Sequence, residues 1–271
     1  MKSLRHSPWE VKVFAFLACM MMGCIFFAPW LGLHDPNDID MANTFSSFSS
    51  THPLGTDYLG RDLLSRLLWG GRITLGYSLL MTAATGILGT SIGIVLAMHP
   101  GTMDSLVMGA TDLLRSFPRI VIVLVLASIF GVGMQSVCLA MLLVRWIWIA
   151  RMARSLSRKE LARTSILASR LAGATKGTIL LHHVLPGILP QMIGAYVLDF
   201  GGTLLSISGY SFLGLGVLPP DPEWGTMIQE GSRHLHHPIA MMIPGLAVLL
   251  MVMSANVLSD YGIKISKEVE R

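Results

Sequence analysis

Residues 73–98 read ITLGYSLLMTAATGILGTSIGIVLAM and contain no Asp, Glu, Lys or Arg. A helix needs about 20 mostly apolar residues to cross a hydrocarbon layer about 30 Å thick, where backbone polar groups find no water. This run is therefore predicted to form a membrane-spanning helix.

The composition of the whole chain of 271 residues agrees with this prediction. Hydrophobic residues make up 52% and charged residues only 13%, whereas soluble domains carry roughly 25% charged residues. The mean hydropathy is +0.61. These values exclude a water-soluble enzyme and predict an integral membrane protein in contact with lipid. The net charge of +4 is too small to indicate a nucleic acid partner.

Other apolar runs complete an all-α fold with six transmembrane helices. The third and fourth helices are separated by a predicted turn at Gly131-Val132-Gly133 and the polar pair Gln135-Ser136. Besides residues 73–98, the predicted helices cover residues 13–33, about 106–130, about 136–150, 188–217 and 237–259.

The cysteines raise an alternative for the first helix. Small residues flank Cys19 and Cys24, and basic residues precede the run, as in a cleaved or lipid-modified signal segment. The run continues well past both cysteines, however, which favours a retained helix. Because Cys138 also lies in an apolar run, neither a disulfide framework nor a zinc site is indicated.

The distribution of charge predicts the orientation, because Lys and Arg concentrate in cytoplasmic loops. Acids outnumber bases in residues 32–72 and 218–233, which are therefore predicted to be external. The predicted segments are a cytoplasmic N-terminus (1–12), the first helix (13–33), an external segment (34–72), a core (73–259) and a cytoplasmic tail (260–271). Basic residues dominate one loop: Arg151, Arg154, Arg158, Lys159, Arg163, Arg170 and Lys176, with Glu160 as its one acid.

No motif for nucleotide or cofactor chemistry is present. The sequence contains neither a GxxxxGKS/T phosphate loop nor HExxH, and no cofactor fingerprint follows a strand pattern. The chain is therefore predicted not to be an enzyme, to hold no cofactor of its own and to have no catalytic residues.

The basic loop also contains an ordered pattern, within residues 165–187. Residues 167–175 read LASRLAGAT and residues 181–186 read LHHVLP. Small residues permit close approach of another backbone, and Leu167 and Leu171 offer one apolar helix face. The alternative is a basic loop that only obeys the positive-inside rule, but the ordered spacing favours an interaction site.

This pattern resembles the EAA loop of type I ABC importer permeases. The stretch HPLGTDYLGRD (52–62), and SFLGLG (211–216) followed by EWGTMI (223–228), are similar to motifs of the dipeptide, oligopeptide and nickel permeases. The resemblance extends from about residue 11 to residue 260. LASR (167–170), WIWIARM (146–152) and Asp199 resemble the nickel-type branch. Leu167 stands where many peptide permeases have Glu.

The resemblance implies a permease subunit of the bacterial inner membrane that forms half of a pathway for nickel or a metal chelate. It also implies two ATP-binding subunits that use ATP, a second homologous permease and an external binding protein. The alternatives are a di- or oligopeptide permease, a secondary transporter, which would show internal repeats, and an intramembrane enzyme. By resemblance, the residues that couple to the ATP-binding subunit are Leu167, Ala168, Ser169, Arg170, Gly173, His183 and Pro186.

Asp199 lies within the predicted fifth helix. A charge near the bilayer centre costs roughly 2.5–3.5 kcal/mol on the insertion scale, so Asp199 should face the bundle interior. One hypothesis is that it lines the pathway and favours a cationic or metal-bearing substrate. The other is a structural pair with Arg145 in the fourth helix.

Two further clusters have open interpretations. Imidazoles suit nickel and zinc, so His234, His236 and His237 are metal candidates; alternatively they are interfacial residues beside the start of the sixth helix. The alternating charges before the second helix are either a landing surface for the binding protein or a solvated segment that anchors the helix. These charges belong to Asp57, Arg61, Asp62, Arg66 and Arg72.

Overall fold

A computed structural model describes residues 8–269, with side chains described to residue 265. The described residues form helices and loops and contain no β-strand; one isolated bridge joins Thr56 and Asp62. The helices are α1 Trp9–Phe27, α2 Leu63–Met98, α3 Thr102–Ser116, α4 Arg119–Phe130, α5 Met134–Val144, α6 Trp146–Leu161, α7 Thr164–Leu171, α8 Lys176–Ile179, α9 Leu185–Phe212, α10 Trp224–Ser232 and α11 Ile239–Val269.

The predicted all-α membrane fold is confirmed. Five helical segments are long and apolar enough to cross a membrane, and the pair α3–α4 makes a sixth if it counts as one bent span. A turn of π-helix, Leu180–Val184, joins α8 to α9. Residues 1–7 and 270–271 of the two predicted cytoplasmic ends lie outside the described residues.

The third predicted helix, about residues 106–130, is not continuous. Its two halves, α3 and α4, meet at 85°. The break lies at Phe117-Pro118, where Phe117 is extended, with φ −82° and ψ 135°. Proline disfavours the helical conformation of the residue before it, so the chain bends here.

Several other helices extend beyond their predicted ends because charged side chains continue them. The second begins at Leu63 rather than residue 73, and the fourth runs from Met134, through the junction at Arg145, to Leu161. The last helix continues past residue 259 to Val269. Hydropathy marks only the hydrocarbon-spanning part of such helices. The charged parts of α2 and α6 carry ion pairs from Arg66, Arg154 and Arg158.

Helix α2 packs backbone to backbone against α6. A Cβ atom on Gly89 would lie 2.5 Å from the carbonyl oxygen of Trp146, and one on Gly93 would overlap the carbonyl oxygen of Ala150. Small residues permit such close approach of membrane helices, whose association depends on packing and polar contacts rather than on water exclusion. The pair α2–α6 is therefore a tightly packed centre, and α9 and α11 pack beside it.

Contacts near the two ends of α2 define the two ends of the bundle. At the α10 end, the indole Nε1 of Trp224 donates a 2.9 Å hydrogen bond to the carbonyl oxygen of Leu67 at the start of α2. At the α7 end, Nζ of Lys176 lies 3.4 Å from Nε2 of His99, just after α2. The basic part of α6 and the start of α9 also lie at the α7 end.

Candidate coupling surface and translocation pathway

Helix α7 holds one side chain in the core and presents others outward. Ile166 is 1% exposed and belongs to an apolar cluster with Ile94, Ile149 and Ile188 of α2, α6 and α9. By contrast, Leu171 is 84% exposed. Three of the predicted coupling residues, Leu167, Ala168 and Arg170, are also exposed. The helix is thus anchored from one side and leaves an apolar surface open on the other.

The predicted coupling residues in the turn after α7 determine how the helix ends. Gly173 has φ +87°, a left-handed conformation that glycine adopts readily. The N–H of Gly173 donates to the carbonyl of Arg170 and that of Ala174 donates to the carbonyl of Ser169, both at 3.0 Å. These two bonds form a Schellman cap.

The remaining predicted coupling residues lie close to α7 in the fold. Oγ of Ser169 lies 3.3 Å from Nε2 of His183, which is in the π-helical turn. Pro186 occupies the first turn of α9, where its missing N–H costs no helical hydrogen bond. The structure thus brings α7, the π-helical turn and the start of α9 together at one end of the bundle.

Part of the basic charge at this end is neutralised from within the chain. Arg154 binds both carboxylate oxygens of Asp104 at 2.6 Å, and Arg158 contacts the same carboxylate at 2.5 Å. Asp104 is 4% exposed. These pairs hold α3 along α6. Sequence reasoning did not identify them, because the partners lie 50 and 54 positions apart.

Asp199 and Arg145 form an ion pair inside the bundle. Arg145 donates from Nη2 to Oδ1 of Asp199 at 2.6 Å and to its main-chain oxygen at 3.1 Å. Both side chains are 7% exposed. The pairing that was one of the two hypotheses for Asp199 is therefore present. Among the described residues, Oδ2 of Asp199 and Nε of Arg145 have no hydrogen-bond partner.

Of the five alternating charges predicted near the start of α2, four are buried and Arg72 is exposed. Nε of Arg61 donates to Oδ2 of Asp57 at 2.7 Å, and Nη2 donates to Oε2 of Glu230 at 3.0 Å. Arg66 donates to the same Glu230 oxygen at 3.1 Å. We call Asp57, Arg61, Arg66 and Glu230 the α10 ion network. Because Arg61 and Arg66 are only 2% and 1% exposed, the network holds α10 against the segment before α2.

Glu223 is a second buried acid beside this network. Oε1 accepts a 2.8 Å hydrogen bond from the hydroxyl of Thr74, and Oε2 accepts one of 3.0 Å from the N–H of Thr226. Burial raises the pKa of Glu223, and the hydrogen bonds oppose this effect. The carboxyl group caps α10 and ties it to α2.

Two of the three histidines that are metal candidates pack against aromatic rings. His237 stacks on Phe45 with ring centroids 4.0 Å apart, and His234 stacks on Tyr58 at 5.1 Å. His236 is exposed. Within residues 8–265, whose side chains the structure describes, no group of three or more His, Cys, Asp or Glu side chains is arranged to hold a metal ion.

Comparison with known proteins places the chain in a family. Residues 89–266 match the family described as "Binding-protein-dependent transport system inner membrane component". The chain is 33% identical over 255 residues to the "Nickel transport system permease protein NikC" of Escherichia coli (strain K12), covering 94% of this chain and 92% of that protein.

Two further similarities agree with this family. The chain is 36% identical over 234 residues to the "Metal-staphylopine import system permease protein CntC" of Staphylococcus aureus (strain NCTC 8325 / PS 47), covering 86% and 81% of the two chains. It is also similar to a chain in an inward-facing structure of the MetNI methionine ABC transporter. That match has a TM-score of 0.60 and 21% identity, and it covers 77% of this chain and 97% of the other; it supports the fold.

The family match spans more than half of the chain, and the two relatives are similar over most of its length. The chain belongs to the family of binding-protein-dependent transport system inner membrane components: it is the multi-pass permease subunit of an ABC transporter, in which a partner subunit uses the ATP.

Proposed function

We propose that this permease forms half of a translocation pathway for nickel or a metal chelate. The observation that carries the proposal is the similarity, over most of the chain, to a nickel permease and a metal-staphylopine permease. A di- or oligopeptide pathway is the second candidate, favoured by the HPLGTDYLGRD stretch (52–62) that resembles peptide permeases as well.

The complete importer in this proposal contains two ATP-binding subunits, a second homologous permease and an external binding protein. The α7 end carries the basic residues of α6 and the loop after it, so the positive-inside rule favours a cytoplasmic α7 end. With six crossings, both termini are then cytoplasmic, and α10 faces the outside.

The coupling step rests on the exposed surface of α7. Leu167 and Leu171 are 57% and 84% exposed, on the helix that Ile166 anchors in the core. Burial of one such leucine in a partner contributes about 1.5–3 kcal/mol. We therefore infer that α7 docks into a groove of the ATP-binding subunit and passes its movement on ATP binding to α6 and α9.

We propose that Asp199 lines the translocation pathway together with Arg145. The pair lies where α5 meets α6, far from both ends of the Met134–Leu161 segment. Charged groups at this depth face a bundle interior or a water-filled cavity rather than lipid. Asp199 is then not a free anionic site, because Arg145 neutralises it.

Uptake of radioactive nickel tests the substrate. The complete importer, expressed in cells that lack their own nickel importers, is expected to accumulate nickel in an ATP-dependent way, and omission of this permease is expected to abolish accumulation. A labelled tripeptide is supplied in parallel. Peptide uptake without nickel uptake, as free ion or chelate, contradicts the proposal in favour of the second candidate.

Co-purification tests the coupling surface. We expect Leu171→Glu to abolish co-purification with the ATP-binding subunits, because the exposed leucine becomes a charge at the interface. Leu235→Glu is the matched control, since Leu235 is 70% exposed at the opposite end of the bundle. If the Leu171 variant still binds the ATP-binding subunits, the exposed surface of α7 is not the docking site.

A further inference from the structure

A group of arginines lies beside the Asp199–Arg145 pair. Arg119 and Arg145 line one small cavity together with Ser206 and Tyr210. An adjoining cavity of about 190 Å³ is lined by Arg115, Phe117, Arg119, Val144, Ile147 and Trp148. Arg119 and Val144 border both cavities, so the two are neighbours, and the larger one has the more polar wall. We call the two cavities together the recess.

The recess lies deep in the membrane part of the chain. Its wall includes Val144, Arg145 and Ile147, which surround the junction of α5 and α6 near the middle of their span. The bend at Pro118 places Arg119, the first residue of α4, beside this junction. Arginine is costly at such a depth unless it meets water, a ligand or another charge.

The charges of the recess do not cancel. Asp199 is neutralised by Arg145. In the part of the chain that the structure describes, no carboxylate lies within ion-pair distance of Arg115 or Arg119. Arg119 is exposed, and Nε of Arg145 is buried without a hydrogen-bond partner. The recess therefore has an excess of positive charge and free N–H donors.

This excess conflicts with a bare metal cation as the group that contacts the recess. A guanidinium matches a carboxylate in shape and charge and binds it with two parallel hydrogen bonds. Phe117 and Trp148 add apolar ring surface beside the arginines, which suits the organic part of a ligand.

We propose that the recess around Arg119 and Arg145 is a subsite of the pathway that binds a carboxylate of the cargo. This inference rests on the proposed function and deepens it: the metal crosses as an anionic, carboxylate-bearing chelate. Arg119 is a specificity-determining residue, and Arg145 holds the polar wall of the subsite in place through Asp199.

The test compares two forms of nickel in the complete importer. Radioactive nickel is supplied as nickel citrate, which is anionic, or as uncomplexed Ni²⁺. The wild-type importer is expected to take up nickel citrate faster. Arg119→Gln is expected to lower citrate-dependent uptake about tenfold, the loss of one charge-assisted hydrogen-bond pair, and to leave any uptake of Ni²⁺ unchanged.

Two variants serve as controls. Arg119→Lys keeps the charge but loses the second parallel hydrogen bond, so its citrate-dependent uptake should lie between those of the wild type and Arg119→Gln. Lys264→Gln removes an exposed charge of α11 and should behave like the wild type. Co-purification of all subunits is measured for each variant. If Arg119→Gln releases the second permease, the arginine pairs with an acid of that subunit, and the subsite is excluded.

The remaining outcomes separate the inference from the proposed function. Equal wild-type uptake of both nickel forms, or an equal loss of both in Arg119→Gln, overturns the carboxylate subsite while the nickel function stands. Absence of nickel uptake by the wild-type importer in either form overturns the proposed function and, with it, the identity of the cargo.

Discussion

The guanidinium of Arg61 donates a 3.0 Å hydrogen bond to the carboxylate of Glu230, which follows it by 169 positions. Both side chains are buried, and Asp57 and Arg66 complete the α10 ion network around them. The network joins the segment before α2 to α10. Because its charges are already paired inside the chain, the network serves to attach α10 and leaves little free charge on this face.

Arg61→Ala is expected to destabilise the permease strongly. The substitution leaves Asp57 and Glu230 buried with less compensation, and breaking a buried ion pair from one side costs about 3–5 kcal/mol. Thermal unfolding of the purified permease in detergent measures the effect. Arg72→Ala is the control, since Arg72 is exposed and only covers the ring of Trp69. Equal unfolding temperatures for the two variants would contradict the structural role of the network.

The buried carboxyl of Glu223 makes stability depend on pH. Burial raises its pKa above the ordinary value of 4.5. The folded chain thus retains a proton that the unfolded chain has released, so the contribution of Glu223 to stability is greatest below about pH 4.5 and is lost as the pH rises through the folded-state pKa. Relative to wild type, Glu223→Gln should therefore gain stability between about pH 5 and pH 8.

Asp40→Asn provides the control of opposite sign. Hydrogen bonds from the side chain of Asn43 and the N–H of Ala42 lower the pKa of Asp40 below 3.8. Its stability contribution is present above that pH and is lost only as the pH falls through the folded-state pKa, so its difference from wild type should stay constant between about pH 5 and pH 8. The measurement is the unfolding temperature of each variant and of the wild type across this pH range. If the difference from wild type depends on pH in the same way for both variants, the role of Glu223 is refuted.

Gly93→Leu is expected to separate α2 from α6. Any side chain at this position meets the carbonyl oxygen of Ala150 and the main chain of Arg154, and overpacking typically costs about 1–3 kcal/mol. Gly76→Leu is the matched control, because a Cβ on Gly76 of the same helix has no neighbour within 4 Å. The yield of detergent-stable permease should fall for Gly93→Leu alone, and similar yields would argue against the close helix contact.

Asp199→Asn is expected to lower the amount of folded permease, because it leaves Arg145 buried without its counter-charge, at a cost of about 3–5 kcal/mol. The double variant Asp199→Asn with Arg145→Gln should recover much of this loss, since both charges are then absent. Membrane levels of the permease provide the measurement. If the double variant loses more stability than the two single variants lose together, the two residues do not stabilise the permease as a pair.

Hydropathy predicts the apolar crossings well because each depends on local composition. Residues 73–98, and residues 188–212 of the predicted 188–217, need no knowledge of their neighbours to be identified as membrane segments; the helix ends at Phe212, five residues before its predicted end. The break at Pro118 is also local, and the Phe117-Pro118 dipeptide is the signal that marks it. The four-residue spacing of Gly89 and Gly93 is a similar signal for close helix packing.

The buried ion pairs could not be predicted in this way, because the paired residues are far apart in the sequence. Asp104 meets Arg154 and Arg158 only after α3 has folded along α6. The pairing of Asp199 with Arg145 could be suggested from the rarity of charges in these helices, whereas the recess at Arg119 depends on the 85° bend that brings α4 beside α5. Charge and composition alone could not predict that placement.

The anchoring of α7 through Ile166 has a mechanical consequence. Ile166 packs in one apolar cluster with Ile94, Ile149 and Ile188, which belong to three long helices. A close-packed protein interior has low compressibility and transmits strain. A displacement of α7 should therefore move these three helices with it as one rigid body. The short connection between α6 and α7 should absorb little of the movement by bending.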